Sequence, residues 1–331
     1  MRRLINNGDD VVEEWTQGYT QAYKNYVTLD KDNPRVILSK KMGTNPRVRI
    51  VIGGGSGHEP LFPGYVGKNL ADASVVGNVN TSPSPQAALE AVKKVDAGKG
   101  VLFIYGNYSG DVMNFDMASD MVKDEGNKIE TVTVKDDVYS SKNFNDRRGV
   151  AGDLYAIKVA CAAAAKGLDL QSVKKVTEKA TKHTFSMGMS LSSESNPVTG
   201  KNVFDMKEGD MEIGMGIHGE PGIKREKLKP ANKVVDELLT FILKNGDFKK
   251  GDTVRVLLDG LGGLPFMDQF ICYRRVNQVL KDKNIKIDKS LVGDFVTSMD
   301  MIGMSITLFR LDGELKKLLD FPCDSPYLKI S

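Results

Sequence analysis

The chain has 331 residues, 40% hydrophobic and 27% charged, with 46 basic against 43 acidic side chains and a net charge of +3. That length asks for about two hydrophobic cores, and the composition is that of a globular protein. The interspersed charges argue against the concentrated basic face of a direct nucleic-acid binder, and nowhere do about 18 apolar residues run together as a membrane span requires.

Residues 1–8 lack the apolar stretch of a signal peptide. The three cysteines, Cys161, Cys272 and Cys323, are odd in number, widely spread and form no Cys-x-x-Cys pair. Neither a disulfide framework nor a zinc site is expected, and a reducing cytoplasm suits them.

Short Val- and Ile-rich runs alternate with longer helical patterns, the signature of helix-covered, mainly parallel sheets. Residues 48–52 read as a strand that ends in Gly53-Gly54-Gly55-Ser56-Gly57-His58-Glu59-Pro60. Residues 85–97 open with a proline and continue in helix formers, a crossover helix. A second strand at 100–105 runs into Asn107-Tyr108-Ser109-Gly110-Asp111. Helical spacing then covers 112–124 and 150–166, where the Ala162–Ala165 run reads as a closely packed face. The stretch 171–182 is a polar helix, with His183 an ordinary helix-end residue. Residues 186–209 turn rich in Ser, Asn, Pro and Gly, and the domain boundary is placed here, near 185. A strand at 211–217 follows, then a helix at 231–244. A strand at 253–258 runs into Gly260-Leu261-Gly262-Gly263-Leu264-Pro265, and a helix covers 267–280. The stretch 295–311 is strand-like around 301–305.

The expected fold is therefore α/β: two α/β domains, 1–185 and 186–331, with mainly parallel or mixed sheets. The ligand site is expected at the strand-end glycine loops between them, where open α/β sheets bind ligands.

Two of only three histidines stand in similar glycine-rich turns, His58 above and His218 in Gly214-Met215-Gly216-Ile217-His218-Gly219-Glu220-Pro221-Gly222. Glycine lets backbone turn sharply or approach a ligand closely, and imidazole serves as nucleophile, base or proton donor near neutrality. The first loop carries no Gly-Lys-Ser/Thr, and His58 stands where a dinucleotide fingerprint has its third glycine, so no nucleotide site is read. A small oxygen-rich ligand held by amides and hydroxyls fits better. His218 is open to three roles: metal ligand, phosphate carrier, or nucleophile towards a carbonyl. The metal reading is weakest, because no ligand spacing appears. A ring nitrogen attacking a ketone stops at a hemiaminal, having no second proton to lose. Asp111 reads equally as an N-cap for a helix starting at Val112 and as a base for a substrate hydroxyl or an orienting partner of His58.

These glycine loops, together with Asn107-Tyr108-Ser109-Gly110-Asp111-Val112-Met113-Asn114-Phe115, Arg147-Arg148-Gly149-Val150-Ala151-Gly152 and Thr297-Ser298-Met299-Asp300-Met301-Ile302-Gly303-Met304-Ser305, resemble the dihydroxyacetone kinase substrate-binding subunits of the DhaK type. The resemblance spans essentially the whole chain. It implies a homodimer that holds dihydroxyacetone as a hemiaminal on His218, with His58 and Asp111 handling substrate protons and Gly54, Gly55, Ser56 and Gly57 lining the cradle. No cofactor of its own is implied, and phosphoryl transfer would need a separate nucleotide-carrying subunit. Two positions depart from the family's pattern: Gly106 replaces a lysine beside the substrate, and Asn80 replaces an aromatic residue before Thr81-Ser82-Pro83. A missing cation should hurt transfer more than capture. The first expectation is therefore the coactivator paralogue, DhaQ type, which binds dihydroxyacetone and recruits a TetR-type regulator. The alternative is the working kinase subunit. Nothing in the chain fixes which short ketose is preferred.

Overall fold

Alternate residues of a strand point to opposite faces, and around Ile50, Val51 and Ile52 both faces are apolar and fully buried, so this sheet needs helices on each side. The computed structural model describes residues 3–331. The chain begins with α1 (Val11–Ala22), β1 (Val27–Leu29), β2 (Val36–Ser39), β3 (Arg49–Ser56), β4 (Ala73–Val79), α2 (Pro85–Val95) and β5 (Val101–Gly106). It continues through α3 (Ser109–Asp124), β6 (Ile129–Val134), α4 (Asp153–Ala165) and α5 (Leu170–Lys182). The six strands form one sheet, ordered β1-β2-β4-β3-β5-β6. Ile50, Ile52, Leu102 and Ile104 pack on α4 and α5, while Val51, Val75, Phe103 and Tyr105 pack on α2 and α3. The Ala162–Ala165 run lies on α4, with Ala162, Ala163 and Ala164 fully buried, the close packing expected of it.

The second half comprises β7 (Thr184–Ser190), β8 (Asp210–Ile213), β9 (Lys224–Lys227), α6 (Ala231–Asn245), β10 (Thr253–Gly260), α7 (Phe266–Asp282), β11 (Lys286–Gly293), β12 (Gly303–Arg310), α8 (Gly313–Leu319) and the short pair β13 (Cys323–Asp324) and β14 (Lys329–Ile330). Its sheet runs β11-β10-β12-β7-β8-β9. One face, through Val254, Val256, Leu258, Ile306 and Leu308, packs on α6 and α7. The other carries small and polar groups such as Ser186 and Thr307, whose hydroxyls lie 2.7 Å apart, and it turns Leu257 and Phe309 into the core of the first unit. That shared core fixes the two units against each other.

Both sheets are mixed. The first has three parallel pairs and two antiparallel, whereas the second has a single parallel pair, β10 with β11, against four antiparallel. The reason is connectivity: parallel neighbours need a crossover, and in the second half only α7 links two adjacent strands. The division expected near 185 falls on Phe185, the second residue of β7. The last stretch returns to the first unit, where Leu315, Leu318, Leu319 and Leu328 join the core around α4. The strand expected over 211–217 ends at Ile213, and the stretch before Gly303 is a loop rather than a strand. His183 caps the end of α5 and donates from Nδ1 to the Arg310 carbonyl at 3.0 Å.

Candidate functional site

β3 continues straight into its glycines because nothing larger fits. A Cβ on Gly54 would lie 2.3 Å from the Phe62 ring, and one on Gly55 would lie 2.8 Å from the Thr81 amide nitrogen. Gly57 then takes φ +111°, a conformation side chains rarely adopt, and its N–H donates to both carboxylate oxygens of Glu59, at 3.1 and 3.0 Å. The turn delivers His58 inward, so it is not a loop residue facing solvent: it is 2% exposed.

What holds His58 comes from the other unit. At the end of β10, the buried Asp259 accepts the N–H groups of Phe295 (2.7 Å) and Val296 (3.0 Å), pinning the start of loop 294–302. That loop clamps the glycine turn through Thr297 N–H to the His58 carbonyl, Met299 N–H to the Gly57 carbonyl and Thr297 Oγ1 to the Glu59 carbonyl. His58 Nδ1 donates to the Thr297 carbonyl at 2.8 Å.

His58 Nε2 meets His218 Nε2 at 2.9 Å, with the two rings nearly perpendicular. His218 sits on the turn after β8. Its Nδ1 faces Glu220 Oε1 at 3.3 Å, and its backbone N–H donates to Glu220 Oε2 at 3.0 Å. Gly216 leaves room for that carboxylate, since a Cβ there would lie 2.2 Å from Oε2. Arg148 ties this turn back to the first unit. It holds Asp137 at 2.8 Å, donates to the Gly214 carbonyl at 3.3 Å and lies 3.9 Å from Glu220. The Tyr108 ring stands edge-on to His218 at 4.5 Å and anchors its hydroxyl on the Gly149 carbonyl at 2.7 Å.

Burial, and then the neighbouring His218, push the pKa of His58 down to about 3. Burial alone would raise Glu220, but its hydrogen bond and charge contact with His218, helped by Arg148, outweigh it and bring the carboxylate to about 2. Asp111 is raised by burial, against the pull of the Ser82 hydroxyl and of His218.

Asp111 does not cap a helix beginning at Val112. α3 starts earlier, at Ser109 with Tyr108 at the cap position, because Ser109 and Gly110 join the first turn. Asp111 therefore lies inside that turn, 8% exposed, with Oδ1 lacking any hydrogen-bond partner. Nor does it orient His58, whose two ring nitrogens are taken by Thr297 and His218. A buried carboxylate oxygen without a partner is an acceptor waiting for a donor.

Gly106 ends β5 against Tyr108: a Cβ there would lie 3.1 Å from its ring and 3.7 Å from Asp153 Oδ2. Asn80 adopts φ +51°, donates to the buried Glu194 at 2.6 Å and leaves Oδ1 unpartnered. Glu194 also meets the Ser298 hydroxyl, which in turn contacts the Ile217 carbonyl beside His218. Among the described residues no cluster of three His, Cys, Asp or Glu side chains converges as metal ligands would.

Sequence reading missed the individual roles of Thr297, Glu220, Tyr108 and Glu194. The first three lay inside quoted motifs, but a carbonyl acceptor and a ring-edge contact leave no mark in residue type.

Two α/β units each contribute one histidine to a shared, partly buried pair at strand-end loops, where open α/β sheets bind ligands. The Dak1 domain model matches residues 17–327, and the chain belongs to this family, within its DhaK type. It is 61% identical over 330 residues, covering all of both chains, to the PTS-dependent dihydroxyacetone kinase 2, dihydroxyacetone-binding subunit DhaK, of Listeria innocua. Among solved structures it resembles the dihydroxyacetone kinase of C. freundii, with TM-score 0.92 and 29% identity, covering 99% of this chain and 60% of that one. It is also similar to the dihydroxyacetone kinase operon co-activator DhaQ, with TM-score 0.90 and 27% identity, covering 96% and 99%.

Proposed function

We propose that the chain is the substrate-binding subunit of a dihydroxyacetone kinase, working as a homodimer in the cytoplasm with a separate nucleotide-carrying subunit, in a PTS-dependent system like the one its Listeria relative is named for. His218 Nε2 captures the ketone carbon as a hemiaminal. His58, kept neutral by its lowered pKa, relays to the carbonyl oxygen the hydrogen it takes from His218 and does not retain a second proton. Asp111 accepts the proton of the hydroxyl that receives phosphate, using the oxygen that now lacks a partner. Gly54, Gly55, Ser56 and Gly57 form the cradle.

One observation carries this reading: two imidazole nitrogens 2.9 Å apart, beside a buried carboxylate with a free oxygen. The ordering given by the two departures alone, coactivator first, yields to the relatives' names, which favour the kinase subunit. The coactivator of a TetR-type regulator stays as second reading because Gly106 leaves no cation at that position and the fold matches DhaQ closely. The deciding assay mixes the chain with the donor subunits of its own organism and dihydroxyacetone. Turnover at about 1–100 per second, the usual kinase range, supports the proposal. Absence of turnover, with regulator recruited to DNA only when dihydroxyacetone is present, refutes it in favour of the sensor.

A further inference from the structure

The hydrogen bonds around the two histidines fix where the protons lie. The Thr297 carbonyl can only accept, so His58 Nδ1 carries hydrogen. The lowered pKa keeps that ring neutral, which leaves Nε2 bare. The hydrogen in the contact between the two Nε2 atoms therefore belongs to His218. Glu220, held ionised, also only accepts, and it faces His218 Nδ1 and the His218 backbone N–H together. With the opposite assignment, a bare His58 Nδ1 would face a carbonyl lone pair at 2.8 Å and a bare His218 Nδ1 would face a carboxylate. In this pattern both His218 nitrogens face acceptors, Nε2 the bare His58 Nε2 and Nδ1 the Glu220 carboxylate.

We infer that Glu220 is a positioning residue for ketone capture: it aims the His218 ring and stores on it the positive charge that the adduct keeps. The inference rests on the hemiaminal reading above. In the step, the hydrogen between the rings passes from His218 Nε2 to His58 Nε2. The freed lone pair forms the N–C bond to the carbonyl carbon, the π pair moves to oxygen, and that oxygen takes the hydrogen from His58. The adduct ring retains Nδ1–H against Glu220 and the same positive charge as before. Net charge is unchanged, no proton is drawn from solvent, and His58 returns to its neutral form. Arg148, 3.9 Å from Glu220 and bound to Asp137, keeps the carboxylate from swinging away.

The test uses the full chain, dihydroxyacetone as probe, and ¹⁵N-histidine NMR at pH 6. Both His218 nitrogens of the unliganded chain should be proton-bound, and Glu220→Gln should leave one bare. That variant should capture dihydroxyacetone roughly 10- to 100-fold more weakly, the range for partners that orient a histidine ligand. Glu220→Asp, which restores the anion, should recover part of the loss. A singly protonated His218 in the parent chain, or parent-like capture by Glu220→Gln, overturns the inference. The parent spectrum answers the first point even should the variant not fold. If the parent chain never bonds dihydroxyacetone at His218, the functional reading falls. If it does and only the Glu220 results fail, this inference falls alone.

Discussion

His58 makes the stability of the chain depend on pH in a direction that can be worked out. In the unfolded chain an imidazole titrates near 6.5; in the folded site burial and His218 bring it to about 3. Between those values the unfolded state binds a proton that the folded state lacks, so stability falls as pH falls, by about 1.4 kcal/mol per unit. From pH 7 to pH 5 the loss assigned to this one ring is about 2 kcal/mol, and by pH 3 it is about 4 kcal/mol. The buried carboxyls Asp136, Asp153 and Asp259, raised by burial, act with opposite sign and gain stability on acidification. They are common to the parent and to His58→Gln, so they cancel in a comparison. Urea-unfolding curves of both proteins at pH 7 and pH 5 provide the assay, and the parent should lose about 2 kcal/mol more than the variant. Parallel pH dependence in the two proteins would refute the reasoning, because it would mean that the folded site tolerates a charged His58.

Asp111→Asn keeps shape but removes the base; dihydroxyacetone should still be found bonded to His218 in a soaked crystal, while transfer with the donor subunit drops about 10²- to 10⁴-fold. Gly54→Ala puts a methyl 2.3 Å from the enclosed Phe62 ring and should lower stability by about 1–3 kcal/mol, read as a fall in melting temperature. Gly106→Lys needs the Tyr108 ring to give by a few tenths of an ångström and brings a cation beside Asp153. On the sensor reading transfer should rise about 10²-fold with capture changed little, whereas on the kinase reading the rate should stay unchanged because no cation is needed there.

In the first sheet, sequence patterning reached β3 and β5, which are apolar on both faces and end in glycine turns that a parallel strand needs at its ligand edge, and left β1, β2, β4 and β6 unread. In the second sheet it reached β8, β10 and β12 and missed β7, β9 and β11. β9 (Lys-Arg-Glu-Lys) carries no apolar alternation at all and is held by pairing with β8 alone, while β11 is an edge strand whose residues are half exposed. α1 and the tail from α8 onward went unread because their burial depends on a distant core, the tail packing around α4. Within the site, His58, His218 and Asp111 stood out by type and setting. The direction of their hydrogen bonds did not: that Thr297 rather than Asp111 holds His58 is decided by Asp259 pinning loop 294–302, a contact across residues far apart in the chain.

The two histidines are cross-braced. His58 belongs to the first unit but is held by Thr297 of the second, and His218 belongs to the second but its turn is tied by Arg148 to Asp137 of the first. A nitrogen–nitrogen separation of 2.9 Å leaves no space for a carbon atom between the rings. The proposed capture by His218 would require the rings to part, and because each ring is fastened to the opposite unit, that parting would be shared by the Thr297 and Arg148 contacts. On that proposal the loaded and empty forms differ at this seam. A partner that closes over the ketone, whether it brings phosphate or reads occupancy, could gain its discrimination from that difference.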